Sequence, residues 1–265
     1  MATISMCYSL SILLIMCDCQ ELNLDYIKTI LDLGEVEFTD HHLERGYISY
    51  FGERILQYKR RPLKMENGRI VIEYYTQVGE YFYVHRRLLF LATTEISQYT
   101  CITYVPLNGI VKRDEFHLLF IEENKLCDAM HPTKYEKELL IYIDDCEKDI
   151  PTFIHEIMHT LNFDHENNRP DADQYVKINW ESIPKKYVHG FRKWHFDDWE
   201  TNTNSSYSKM FPYDFKSVMH YYSGLNKFIV KKNGESIEKN WELSNIDKDE
   251  LNFFYNCERN KLKQN

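Results

Sequence analysis

Apolar residues along the chain cluster into short runs whose spacing predicts the elements. Ile70-Val71-Ile72-Glu73-Tyr74-Tyr75 is rich in β-favouring residues and predicts a strand. Arg87 to Tyr99 carries Leu88, Leu91, Ala92, Glu95, Ile96 and Tyr99 at helical spacing. Phe116 to Ile121 and Leu139 to Ile143 predict two more strands. Asp149 to Leu161 reads as a helix with acidic and Pro residues at its start. Regular signals thin out from about residue 166 until Asn245 to Cys257, which again looks helical. Residues 20–58 are polar and acidic, with only a short helical pattern at Tyr26-Ile27 and Ile30-Leu31. No internal repeat is found. Strands and a helix first, then helices and loops, make an α+β chain with a cleft between its halves.

Composition narrows the function classes. The 265 residues carry 32 Lys plus Arg against 41 Asp plus Glu, a formal net charge of −9. No long basic run relieves that acidity, so a nucleic-acid partner is not expected. No stretch reaches the roughly 18 uninterrupted apolar residues of a membrane helix, so no membrane partner is expected either. Ala2 to Cys17 is uncharged and contains Leu10-Ser11-Ile12-Leu13-Leu14-Ile15-Met16, which suits a signal peptide over residues 1–19. Its removal leaves Cys101, Cys127, Cys146 and Cys257. Four cysteines in a secreted, extracellular chain favour two disulfides, with three pairings open. Asn204-Ser205-Ser206 is a glycosylation sequon that fits an exposed loop. Lys59-Arg60-Arg61-Pro62 reads equally as a processing site or a solvated turn.

The stretch that carries chemistry is His155-Glu156-Ile157-Met158-His159, followed by His165 and Glu166. On a helix, His155 and His159 stand one turn apart on one face, so both can aim a ring nitrogen at one Zn²⁺. Glu156 lies on the adjacent flank, where it can reach and activate a zinc-bound water without binding the ion. His165 is six residues beyond His159, the wrong angular offset for a continuing helix. The chain must therefore turn after Leu161, and Asn162 is suited to the left-handed conformation such a turn needs. The spacing then makes a three-histidine site with an open fourth position, the mark of catalytic zinc. At this composition, H-E-x-x-H followed by that third His arises by chance in about one sequence in 600.

His155 to Glu166, with Arg169, Asp171 and Asp173, resembles the extended zinc signature of the astacin family of secreted zinc metalloendopeptidases, in the metzincin clan. Ser217-Val218-Met219-His220-Tyr221 resembles the family's Met-turn segment. Cys101 to Pro106 is similar to its first-cysteine segment, and Leu243 to Asp247 leading to Cys257 is similar to its last helix. The likeness spans roughly residues 70–257. It implies a two-lobed metzincin-like domain with a twisted sheet, an active-site helix and an irregular C-terminal lobe. It also implies one zinc held by His155, His159 and His165, with Met219 as an apolar floor. Tyr221 would be the phenol that binds zinc and then swings to the transition state. The implied disulfides are Cys101–Cys257 and Cys127–Cys146. An extended protein or peptide substrate would lie along the cleft, beside a rim formed by the strand Glu138 to Asp144, and the chain would act as a monomer.

The resemblance further implies a zymogen, with a pro-segment at 20–61 and a catalytic domain at 62–265. Tyr50-Phe51-Gly52-Glu53 is similar to the family's inhibitory Phe-x-Gly-Asp, with Glu53 replacing the zinc-binding Asp. Processing near Arg61 would free an amino terminus to fold in to Glu166. Only eight residues follow Cys257, and no accessory domain is expected there. The chain departs from the family at Asn162, where Gly is usual, at Ala172 within the Arg-x-Asp-Arg-Asp run, and at Asp145. None of these touches a zinc ligand or the base. Two other readings stay open at this level, a binding protein on a disabled protease fold and a zinc hydrolase of non-peptide amides.

Overall fold

The computed structural model describes residues 64–77, 82–108, 114–123, 125–130, 137–191, 193, 211–224 and 227–257. The expected signal peptide (1–19), pro-segment (20–61), Glu53 and the Asn204 sequon lie outside the described residues. The polypeptide runs β1 (Lys64–Glu66), β2 (Arg69–Gln77), α1 (Phe82–Tyr99), β3 (Ile102–Pro106), β4 (His117–Ile121), β5 (Asp128–Ala129), β6 (Glu138–Tyr142) and α2 (Ile150–Thr160). Short 3₁₀ turns, β7 (Val176–Ile178), β8 (Ile229–Lys231) and α3 (Asn245–Phe254) follow.

Six strands form one sheet in the order β1-β2-β4-β6-β5, with β3 also paired to β2. β2, β3, β4 and β6 are mutually parallel, while β1 and β5 run antiparallel. Two-residue alternation sorts the strands' side chains onto two faces. Ile70, Ile72, Tyr74, Leu118, Phe120, Leu139 and Ile141 enter the main core with α1 and α2. Tyr75, Leu119 and Ile121 cluster with Leu140 and Tyr142 on the opposite face. β4 is buried along its whole length, which is why it reads as an unbroken run, His117-Leu-Leu-Phe-Ile121.

The helix α1 sets Leu89, Ala92, Thr93 and Ile96 into the core at helical spacing. It begins at Phe82, five residues before the expected Arg87. Its first turn exposes Tyr83 and Val84 and buries His85 against Glu122, which hides the helical stripe from a hydrophobicity pattern. The irregular second lobe holds one short sheet that the sequence pattern does not show. There β7 and β8 pair antiparallel around Ala172, Val176, Ile183, Phe191, Tyr213, Ile229 and Ile237. Strands of three residues carry too little periodicity to stand out. The last helix stops at Phe254, short of the expected Cys257, and Asn256 turns at φ 50°. Disulfides join Cys101 to Cys257 and Cys127 to Cys146, across sequence separations of 156 and 19.

Candidate metal centre

The helix α2 is built to hold its side chains still. Asp149 caps its amino end in extended backbone and accepts the Thr152 N–H at 2.9 Å, and Pro151 occupies the first turn. Lys239 reaches Asp149, Glu147 and Thr152, tying this cap to the second lobe. At the carboxyl end Asn162 stands at φ 72°. Its N–H donates to the His159 carbonyl at 2.9 Å, and the Phe163 N–H donates to the Met158 carbonyl at 3.1 Å. This is a Schellman closure, and it reverses the chain so that His165 returns to the helix.

The three imidazoles meet. His155 Nε2 lies 3.1 Å from both His159 Nε2 and His165 Nε2, and the last two are 3.2 Å apart. His155 Nδ1 donates to the Val218 carbonyl and His159 Nδ1 to the Phe163 carbonyl, both at 2.8 Å. A carbonyl can only accept, so each Nδ1 carries the ring proton and each Nε2 keeps its lone pair. Burial holds the His155 imidazole below its ordinary pKa, which favours that neutral form. Lone pairs facing one another repel unless a cation lies between them. Nitrogens bound to one tetrahedral zinc at about 2.0–2.1 Å stand about 3.3 Å apart, so this donor set fits the ion.

Glu156 follows His155 on α2 and is almost wholly buried, with its Oε2 lacking a hydrogen bond among the described residues. Its other oxygen is 3.4 Å from Cys127 Sγ, a disulfide sulfur with no proton to give. Burial, and then Asp128 on β5, push the carboxyl up to about 8.

The segment Glu166–Asn168 clamps the Met219 turn. Glu166 N–H donates to the Met219 carbonyl at 3.0 Å, and Asn167 Oδ1 accepts the Tyr221 N–H at 3.1 Å. Met219 itself is buried in the main core. Beneath the turn, Asp247 accepts Ser217 Oγ at 2.6 Å, Val218 N–H at 3.0 Å and Ser244 N–H at 2.9 Å. The Glu166 side chain accepts Arg169 Nη1 at 2.9 Å and the Asp214 N–H at 2.8 Å. Arg169 in turn makes a two-pronged pair with Asp171, both contacts at 2.9 Å. The Tyr221 ring lies 4.3 Å from that of His165 and edge-on to Phe191 at 5.0 Å.

Of the expected residues, His155, His159 and His165 meet at their Nε2 atoms and Tyr221 packs against His165. The expectation for the cleft rim needs correction. β6 is covered at Ile141 and Tyr142 by β5, so the edge strand of the sheet is β5, and Asp128–Ala129 is too short to be read from sequence. Asn167, Asp247 and Lys239 are supporting residues that the sequence reading missed. For Asp247 a signal existed, because Ser244-Asn245-Ile246-Asp247 is a capping box.

Known proteins resemble this chain in both sequence and fold. The family model described as Astacin, a peptidase family, matches residues 63–256. The low choriolytic enzyme of Oryzias latipes is 33% identical over 159 residues, covering 60% of this chain and 52% of that protein. Zinc metalloproteinase nas-13 of Caenorhabditis elegans is 30% identical over 214 residues, covering 78% of this chain and 44% of its own length. The chain thus spans about half the length of these curated relatives. Among solved structures, the hatching enzyme zinc-protease HCE-1 of the same fish superposes with a TM-score of 0.58 at 24% identity. That match covers 73% of this chain and 93% of the other and shows a shared fold.

Proposed function

The chain belongs to the astacin family of peptidases, and from that premise we propose that it is a secreted zinc-dependent endopeptidase, made as a zymogen, that hydrolyses internal peptide bonds of proteins. The observation that carries this reading is the convergence of three Nε2 atoms, two of them from a helix that also carries a buried carboxyl, one of whose oxygens lacks a hydrogen bond among the described residues. His155, His159 and His165 hold one Zn²⁺. Zinc, when bound, supplies Lewis-acid polarisation of a substrate carbonyl and lowers the pKa of water.

The chain's own residues do the rest. Glu156 takes the proton of the attacking water and hands it to the leaving amine. The Tyr221 phenol donates to the oxyanion as charge develops there. An extended substrate adds its backbone to the outer edge of β5, with its side chains directed alternately toward and away from the cleft.

In the zymogen, Glu53 of the pro-segment 20–61 would be the carboxylate that blocks the zinc. Cleavage near Arg61 removes it and frees an amino terminus that joins Glu166, whose carboxyl already accepts Arg169 Nη1 and the Asp214 N–H. The signal peptide at 1–19 and a glycan on Asn204 belong to the same extracellular route, and the enzyme acts as a monomer.

The test is cleavage of an unfolded protein by secreted, trypsin-treated chain with and without a chelator. Cleavage that stops on chelation and returns with Zn²⁺ is the expected result. Bound zinc with no cleavage of any protein or peptide would move the chain to a binding role. Cleavage confined to small amides would make it a non-peptide hydrolase.

A further inference from the structure

We infer that Gly190 is a positioning residue for Tyr221: its missing side chain is the space in which the phenol's hydroxyl stands. This rests on the peptidase reading above. Gly190 lies in the 3₁₀ turn Lys185–Phe191, far in sequence from the zinc helix. A Cβ built on it would sit 2.8 Å from Tyr221 Oη, with the ring's Cε2 and Cζ next nearest at 3.7 Å. That is closer than a carbon and a hydroxyl oxygen can stand without one of them moving.

The backbone does not explain this glycine. Gly68, Gly224 and Gly234 have φ of 68°, 57° and 91°, where a side chain is strained, but Gly190 is not among the positive-φ residues. Its conformation admits alanine, so what an alanine meets there is the phenol.

The rest of the ring is already confined. Tyr221 is held at its backbone by Asn167, faced by the His165 ring at 4.3 Å and edged by Phe191 at 5.0 Å. Among the described residues its hydroxyl makes no hydrogen bond, while the imidazole Nε2 atoms contact one another. The phenol is therefore placed by packing, with Gly190 at its tip. A Cβ at this position displaces the phenol from the place where its swing to the oxyanion begins, and misplacement by about 1 Å can cost up to a hundredfold in rate.

The experiment pairs Gly190→Ala with Tyr221→Phe, singly and together. In metal-free protein, where no activity enters, Gly190→Ala is expected to lower Tm by about 3 °C, and by under about 1 °C when Tyr221 is Phe. In zinc-loaded protein, Gly190→Ala is expected to lower kcat about tenfold with KM within about twofold, since the contact is made in the transition state. Added to Tyr221→Phe it should cost nothing further. If Gly190→Ala fails to fold while the double variant folds, the inference stands. Equal loss of Tm in both backgrounds, failure of both to fold, or an unchanged kcat would overturn it. A wild-type chain that cleaves nothing sinks the peptidase reading instead, and the thermal coupling still decides Gly190.

Discussion

Asn162 shows how much one residue contributes to this centre and what it costs. It is fully buried at φ 72°, and both polar atoms of its side chain lack a hydrogen bond among the described residues. A buried unsatisfied polar group costs about 1–3 kcal/mol, and glycine adopts this backbone freely. Asn162→Gly should therefore raise stability by about 1 kcal/mol in a urea melt, while Asn162→Val should lower it by more than about 2 kcal/mol. A destabilised glycine variant would show that the amide is satisfied after all. Asp247 is the opposite case, because its two oxygens accept three hydrogen bonds. One of its donors, Val218, offers its carbonyl to His155 Nδ1. Asp247→Asn replaces an acceptor by a donor at this junction, and zinc affinity should fall about 10–100-fold in a chelator competition. Unchanged affinity would mean that the Met219 turn holds its shape without the carboxylate.

Among the elements, α2 is the piece most legible in the sequence. Its apolar spacing, Asp149, Pro151 and the two histidines His155 and His159 all point one way, and its bounds fall within one residue of those expected. The turn after Leu161 was also readable, because only a reversal brings His165 back. Elements whose formation depends on distant partners were not readable. β5 is two residues long and exists through its pairing with β6, and β7 with β8 has three residues on each side. The clamp made by Asn167 and the pairing of Lys239 with Asp149 join segments far apart in sequence, and no local pattern encodes them. The disulfide from Cys101 to Cys257 fastens the end of α1 to the end of α3. Closing so long a loop is worth about 5 kcal/mol in the chain-entropy treatment. Replacing both cysteines by Ala should cost several kcal/mol in a denaturant melt, and a loss under about 1 kcal/mol would assign the docking of α3 to its packing alone.

Across the molecule, zinc and fold should be linked. The three histidines proposed as ligands come from α2 and from the turn beyond it, and His155 also leans on the Met219 turn. An ion bound to the folded chain stabilises it by about 4 kcal/mol at a thousand times its Kd. Chelation should thus lower Tm by about 10 °C, reversibly on adding Zn²⁺, and an unchanged Tm would mean that the site is rigid without the ion or does not bind it. Among the described residues no helix is long and apolar enough to cross a membrane. Together these parts are proposed to make a peptide-bond hydrolase whose base is Glu156. The decisive comparison is Glu156→Gln beside the wild-type chain, with bound zinc and cleavage of an unfolded protein measured on the same samples. One zinc per chain is expected in both, with cleavage lower by about a thousandfold in the variant. Zinc retained with cleavage within about tenfold of wild type would contradict the role of Glu156 and the mechanism built on it.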